Sequence, residues 1–184
     1  MVSSKADTFA NESNIDIRSI QARDLPAISA LHAEAFGPGR FARIAYRVRE
    51  GTPNLSAHCR AGWRGAVLAG AVTMTEITIG DAPVSHWLLG PLAVRAGNTG
   101  KGIGRRLVLD VLQSVGSGSQ MATVVLVGDL DYYGQLGFEA VPRGKIALPG
   151  PVDPSRLLIW RGADGTREVP GGTIRVSSAL GASN

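Results

Sequence analysis

The stretch NTGKGIGRRL (residues 98–107) decides how this chain is read. Gly100, Gly102 and Gly104 alternate directly before a run in which Ile103, Leu107, Val108, Val111, Leu112 and Val115 recur at helical spacing. A dinucleotide fingerprint requires a third glycine where this chain has Arg105, counting from Gly100, or Leu107, counting from Gly102. A Walker loop requires Ser or Thr after its Gly-Lys, and Gly102 follows Lys101. What remains is a glycine-lined helix start. Its first amides have no partner within the helix, and the absence of Cβ atoms lets anionic oxygens approach. Lys101 and Arg105 add positive charge at the mouth. A plain tight turn is the competing reading.

Upstream lies SHWLLGPLAVR (85–95), an apolar strand interrupted by Gly90 and Pro91. Proline has no amide for a sheet ladder, so the pair predicts a bulge or an edge. Downstream, MATVVLVG (121–128) is continuously apolar, as in a strand covered on both faces. Strand, helix and strand imply a right-handed crossover joining parallel neighbours. With a bulge at Gly90–Pro91 the two strands splay and leave the Leu92 and Val94 amides without a strand partner. Such amides need acceptors, and an extended ligand with its own amide groups can supply them.

Farther out, IDIRSI (15–20) predicts a first strand. ARDLPAISALHAEAF (22–36) predicts a helix with Asp24 as N-cap, Pro26 in the first turn, and Leu25, Ile28, Leu31 and Ala35 facing inward. RFARIAYRVRE (40–50) predicts a second helix carrying Arg40, Arg43, Arg47 and Arg49. AHCRAG, AVLAGAVTM and TEITI read as an antiparallel meander between Leu55 and Thr78. DLDYYGQLG (129–137) is a short helix or turn, followed by strands in FEAVP and RLLIWR (156–161). The expected fold is a single mixed α/β sheet of six or seven strands with helices on both faces, over residues 15–161. Residues 1–14 are expected to be a flexible N-terminus, and 162–184 a C-terminal extension, partly ordered and poor in apolar residues.

With 184 residues, 44% hydrophobic and 18% charged, the chain has material for one core. The formal charge of +4 suits an anionic ligand. Aromatics at 5% and the lack of a basic run argue against nucleic-acid binding. Cys59 is the single cysteine, which excludes an internal disulfide. With three histidines besides, no metal site is expected. No apolar run spans a membrane and no secretory leader is evident, so a cytoplasmic location is expected.

The stretches LLGPLAVRAGNTGKGIGRRLV, VVLVGD and YYGQLGF together resemble the GCN5-related N-acetyltransferase (GNAT) superfamily, and most closely its YhbS-like branch. LPGPVDPSRLL is similar to the way that branch ends. The resemblance implies the acyl-CoA N-acyltransferase fold, with a splayed central parallel strand pair, and acetyl-CoA as acyl donor. It assigns Leu92, Ala93 and Val94 to the acyl and pantetheine end. Gly100, Lys101, Gly102, Ile103 and Gly104 fall to the pyrophosphate, with Arg105 beside them. Tyr133, five residues before Phe138, stands where many members carry the tyrosine that protonates the leaving thiolate. Thr99 replaces the family's usual glutamine or arginine, and Leu126 stands near the position of a frequent asparagine.

The implied chemistry is direct attack by a primary amine on the thioester in a ternary complex. The Val94 amide polarises the carbonyl. A tyrosine, with an ordinary pKa of about 10, remains protonated and able to donate at neutral pH. Tyr132 and Tyr133 project about 100° apart on a helix, so one faces the thioester. Glu76 and His86 are candidate bases, and a water is the alternative. His32 and Glu34 are read as surface on the acceptor side, and Cys59 as core filler. The acceptor is a small-molecule or peptide amine, approached past Phe36, Phe41 and Tyr46 and the loops after 138. A homodimer is compatible with the chain. The alternatives are an acyl-CoA-binding regulatory module with little turnover, or transfer of a different acyl group.

Overall fold

A computed structural model describes residues 15–38, Val48, 55–81, 84–118 and 122–177. The polar N-terminus and nearly all of the arginine-rich segment 40–50 lie outside the described residues, with Phe41 and Tyr46 among them.

The described chain runs β1 (Asp16–Ser19), α1 (Leu25–Phe36), β2 (Arg60–Arg64), β3 (Val67–Ile79), β4 (His86–Val94), α2 (Ile103–Gly116), β5 (Val124–Val127), α3 (Leu130–Tyr133), β6 (Glu139–Ala140), β7 (Ile146–Ala147), β8 (Leu157–Trp160) and β9 (Gly172–Val176). The sheet order is β1-β2-β3-β4-β5-β8-β6. β4 and β5 are parallel, joined through α2, while the other pairs on this path are antiparallel. This is the mixed sheet with flanking helices that the sequence predicts.

Alternation along the strands builds two cores. Val124, Leu126, Leu158 and Trp160 point to one face, under α1 and α2, while Val125, Leu157 and Ile159 point to the other. α2 buries the six residues of its predicted stripe, Ile103, Leu107, Val108, Val111, Leu112 and Val115. Each such side chain contributes about 1.5–3 kcal/mol when taken out of water.

Four expectations change. AVLAGAVTM and TEITI form one continuous strand, β3, with no turn between them; its register against β4 shifts between Val72 and Met74, where β4 carries the extra residue. Asp24 immediately precedes α1 but caps nothing in it. Its carboxylate accepts from the Gln21 amide at 2.9 Å and from Arg18 at 2.8 and 3.0 Å. α1 turns His32 inward with Ile28 and Leu31, leaving Ala35 exposed, so His32 is core and not surface. The tail adds β9 to the edge of β3 and places Ile174 in the second core; with β7, which pairs with it, the described residues form nine strands. Within GTIRV only Ile174 is buried, with Val176 packed partly against the same core, and two alternating apolar positions are too short a run to read as a strand. No helix among the described residues is long and apolar enough to cross a membrane.

Candidate active site

β4 and β5 are in register only at Trp87–Val124 and Leu88–Val125, with the Trp87 amide donating to the Thr123 carbonyl at 2.9 Å. Past that point they separate. On β4 the Gly90–Pro91 peptide, which is cis, coincides with the register shift against β3, where Leu92 meets Val72 but Leu89 meets Met74. β5 turns the other way, held to the next segment by the Gly128 amide donating to the Arg156 carbonyl at 2.9 Å. The wedge between them is a cavity of about 510 Å³, lined by Leu88 through Leu92 on one side and Leu126 through Asp129 on the other.

Backbone alternation decides which amides face this wedge. The Arg95 amide donates to the Ala69 carbonyl at 2.9 Å, so the next inward pair is Ala93 opposite Ala71. Ala93 therefore turns its amide to β3 and away from the cavity, which corrects its place in the predicted cofactor set. Leu92 and Val94 turn theirs toward the side from which β5 has departed.

The glycine stretch follows directly. Gly102 adopts φ 73°, a left-handed conformation that turns the chain into α2. The first helical bond there runs from the Arg106 amide to the Gly102 carbonyl. The amides of Ile103, Gly104 and Arg105 thus emerge from the helix end without intrahelical partners. The Lys101 amide is different, since it donates to the Asn98 carbonyl at 3.4 Å, so Lys101 has only its ammonium to offer an anion. The tip and the wedge adjoin one another. A Cβ placed on Gly104 would lie 3.6 Å from Val94 Cγ2, 3.8 Å from Leu92 Cδ2 and 3.0 Å from the Tyr132 hydroxyl.

Both tyrosines of α3 line the cavity. Tyr133 lies inward, edge-on to Tyr132 at 4.9 Å and to Phe138 at 5.7 Å. Its ring packs so closely on Gly128 that a Cβ there would fall 2.4 Å from Cε2. Burial, reinforced by Tyr132 and by the negative charge of Asp129, pushes its hydroxyl up to about 12. Tyr132 reaches outward to the α2 tip. Its pKa is raised by burial, with the nearby Arg105 charge opposing.

The predicted bases are elsewhere. Glu76 stands on β3 opposite Trp87, at the closed end of the strand pair. His86 is buried at that end, where its Nδ1 accepts from the Thr123 amide at 3.3 Å and contacts Thr123 Oγ1 at 3.0 Å. Burial lowers its pKa. Neither residue lines the cavity, because the open end of the wedge is the other end of β4. Cys59 is fully buried, and its Sγ accepts from the Met74 amide at 3.3 Å. Glu34 pairs with Arg95 at 3.0 Å.

Phe36 and the segment 151–153 with Arg156 form the remaining walls, as expected for Phe36 and the loops after 138. Asp129, Asp153 and Arg156 are lining residues that local patterns did not single out. Asp129 carried a signal in VVLVGD, as the polar residue where β5 opens. Among the described residues no group of three or more His, Cys, Asp or Glu is placed to hold a metal ion.

No family model and no curated protein matches the chain. Solved structures do. The chain is similar to the GNAT family N-acetyltransferase YhbS from Escherichia coli, crystallised with CoA, at 25% identity and TM-score 0.72 over 88% of this chain and 89% of that one. It is also similar to a GNAT family acetyltransferase from Brucella melitensis in complex with acetyl-CoA, at 25% identity and TM-score 0.59 over 80% and 96%. Arabidopsis thaliana Naa50, at 18% identity and TM-score 0.56 over 79% and 97%, shares the fold. The chain therefore has the GNAT acyl-CoA N-acyltransferase fold, and acetyl-CoA-dependent acyl transfer is the chemistry that fold supports.

Proposed function

We propose that this protein is an N-acetyltransferase of the YhbS-like branch, transferring the acetyl group of acetyl-CoA to a primary amine by direct attack in a ternary complex. The observation that carries this reading is the continuity of two backbone-lined surfaces. The wedge is lined by Leu92, and Leu92 and Val94 both lie against Gly104 at the bare tip of α2.

The residues fit the donor part by part. The amides of Gly102, Ile103, Gly104 and Arg105, with the Lys101 and Arg105 charges, hold the pyrophosphate. Leu92 and Val94 bond the pantetheine as a partial strand. When bound, acetyl-CoA supplies an acetyl group already activated as a thioester. The Val94 amide, fixed in the sheet, stabilises negative charge on the carbonyl oxygen without reorganisation. Tyr133 delivers a proton to the departing sulfur. Its raised pKa keeps it protonated across the working range. Thr99, in place of a longer polar side chain, leaves the grip to the backbone.

A panel of amines and peptides assayed for free-thiol release from acetyl-CoA tests this function. Thiol release matched by acetylated product supports it. A second reading, an acyl-CoA-binding regulatory module, is favoured by the position of Glu76 and His86 outside the cavity. Stoichiometric CoA binding with no transfer across the panel establishes that alternative. Release from longer acyl-CoA thioesters but not from acetyl-CoA points to a different acyl group.

A further inference from the structure

The titratable side chains lining the cavity are Asp129, Tyr132, Tyr133, Asp153 and Arg156. Four of them are accounted for. Tyr133 is the acid, and Tyr132 reaches the α2 tip. Asp153 Oδ1 accepts from both the amide and the hydroxyl of Ser155, at 2.9 and 2.7 Å. Arg156 is a cation and cannot accept a proton. Asp129 is left. It directly precedes α3, yet its carboxylate makes no capping bond there. Among the described residues only its main-chain carbonyl is engaged, by the amides of Tyr132 and Tyr133 at 3.2 and 3.0 Å.

We propose that Asp129 is the proton acceptor for the incoming amine, and that the acceptors are accordingly ammonium-bearing molecules entering the cavity that Asp129 and Asp153 line. This rests on the acetyltransferase reading given above. Asp129 and Tyr133 line the same cavity, so acid and base share one site. The groups around it are Tyr132, Tyr133 and Asp131 from α3, and Asp153 and Arg156 from the facing turn, with Arg143 acting on Asp153. β4 presents only apolar residues, Leu88 to Leu92, to the cavity. Among the lining residues Asp129 and Asp153 outnumber Arg156, and with Asp131 and Arg143 included three carboxylates stand against two arginines, so the cavity is net negative, which favours a cationic acceptor over an anionic one.

The protons balance as follows. The ammonium gives one proton to the Asp129 carboxylate and becomes a neutral amine. Its nitrogen lone pair forms the C–N bond to the acyl carbon, and the C–S bond breaks with its electron pair on sulfur. Tyr133 protonates that sulfur and recovers a proton from the new amide nitrogen. The products are an N-acetyl amide, free thiol and one proton, which leaves Asp129 for solvent.

The test is a pH profile of kcat/KM from pH 6 to 10 for the full-length wild type, Asp129→Asn and Asp129→Glu. It uses the most active primary alkylamine of the panel, and aniline as an acceptor uncharged at neutral pH. Asn retains the size and local bonding capacity of Asp, and equal Tm and CoA affinity verify that the fold and the donor site persist. The expected result is a loss of roughly 10²–10⁴-fold for the alkylamine at pH 7 in Asp129→Asn, as for removal of a general base. The deficit shrinks as pH nears the pKa of the amine, acetylation of aniline changes little, and Asp129→Glu recovers part of the rate. Wild-type rates in Asp129→Asn, or a deficit equal at every pH and for both acceptors, overturn the inference while leaving the acetyltransferase reading intact. Wild-type protein that binds CoA but releases no thiol with any amine overturns both.

Discussion

At the scale of single residues, two adjacent tyrosines take different places because α3 directs their side chains apart. Tyr133 goes under the strand ends against Phe138 and Gly128, and Tyr132 goes out to Gly104. Proton donation to sulfur asks for a group that stays protonated, and burial gives Tyr133 that property. We expect Tyr133→Phe to lower kcat by roughly 10²-fold, the scale of losing a general acid, with CoA affinity unchanged by calorimetry. An undiminished kcat where chemistry limits the rate rejects the acid role. The YYGQLGF pattern marks the pair, but which member turns inward depends on how α3 sits against β5.

Among the elements, α2 is the part most fully written in local sequence. Its buried stripe and its end at Gly116 follow from helical spacing and a glycine stop. Its start depends on Gly102, whose φ of 73° is unfavourable for a residue with a Cβ. A Cβ at Gly102 meets no neighbouring atom within 4 Å, so the effects of Gly102→Val are expected from backbone strain and from blocking the anion. The expected outcome is a loss of about 1–2 kcal/mol in chemical denaturation, together with weaker CoA binding. Unaltered CoA affinity would count against the pyrophosphate assignment. β9 is the opposite case. A tail poor in apolar residues supplies Ile174, which is 2% exposed, to the second core. Ile174→Ala should cost about 2–5 kcal/mol and leave CoA affinity as it was. A stability equal to wild type would mean that β9 adds nothing to the core.

For the whole molecule, two histidines bear on pH. Burial lowers the pKa of His86, and burial with the Arg60 charge lowers that of His58, which contacts Ser114 at 2.8 Å. Both are harder to protonate in the fold than in the unfolded chain. Below about 6.5, the ordinary histidine value, the unfolded chain binds protons that the folded chain does not. Stability is therefore full above that pH and falls as pH drops toward the lowered folded values. Urea midpoints should be lower at pH 5.5 than at 7.5, with the difference reduced in a His58→Gln, His86→Gln double variant. Equal wild-type midpoints would contradict this. His86 also shows how far a local reading extends. At the start of SHWLLGPLAVR it has the look of a boundary residue, and only the arrival of Thr123, 37 positions later, buries it. By itself the sequence determined the strand–helix–strand unit, the break at Gly90–Pro91 and the bare α2 tip. These depend on periodicity, on a missing amide and on missing Cβ atoms, all properties of neighbouring residues. Tertiary structure alone decided that Ala93 faces β3, that Glu76 and His86 stand at the closed end, and that Asp129 lines the open one. Those outcomes depend on where two strands part, and strand separation is settled by pairing between distant segments.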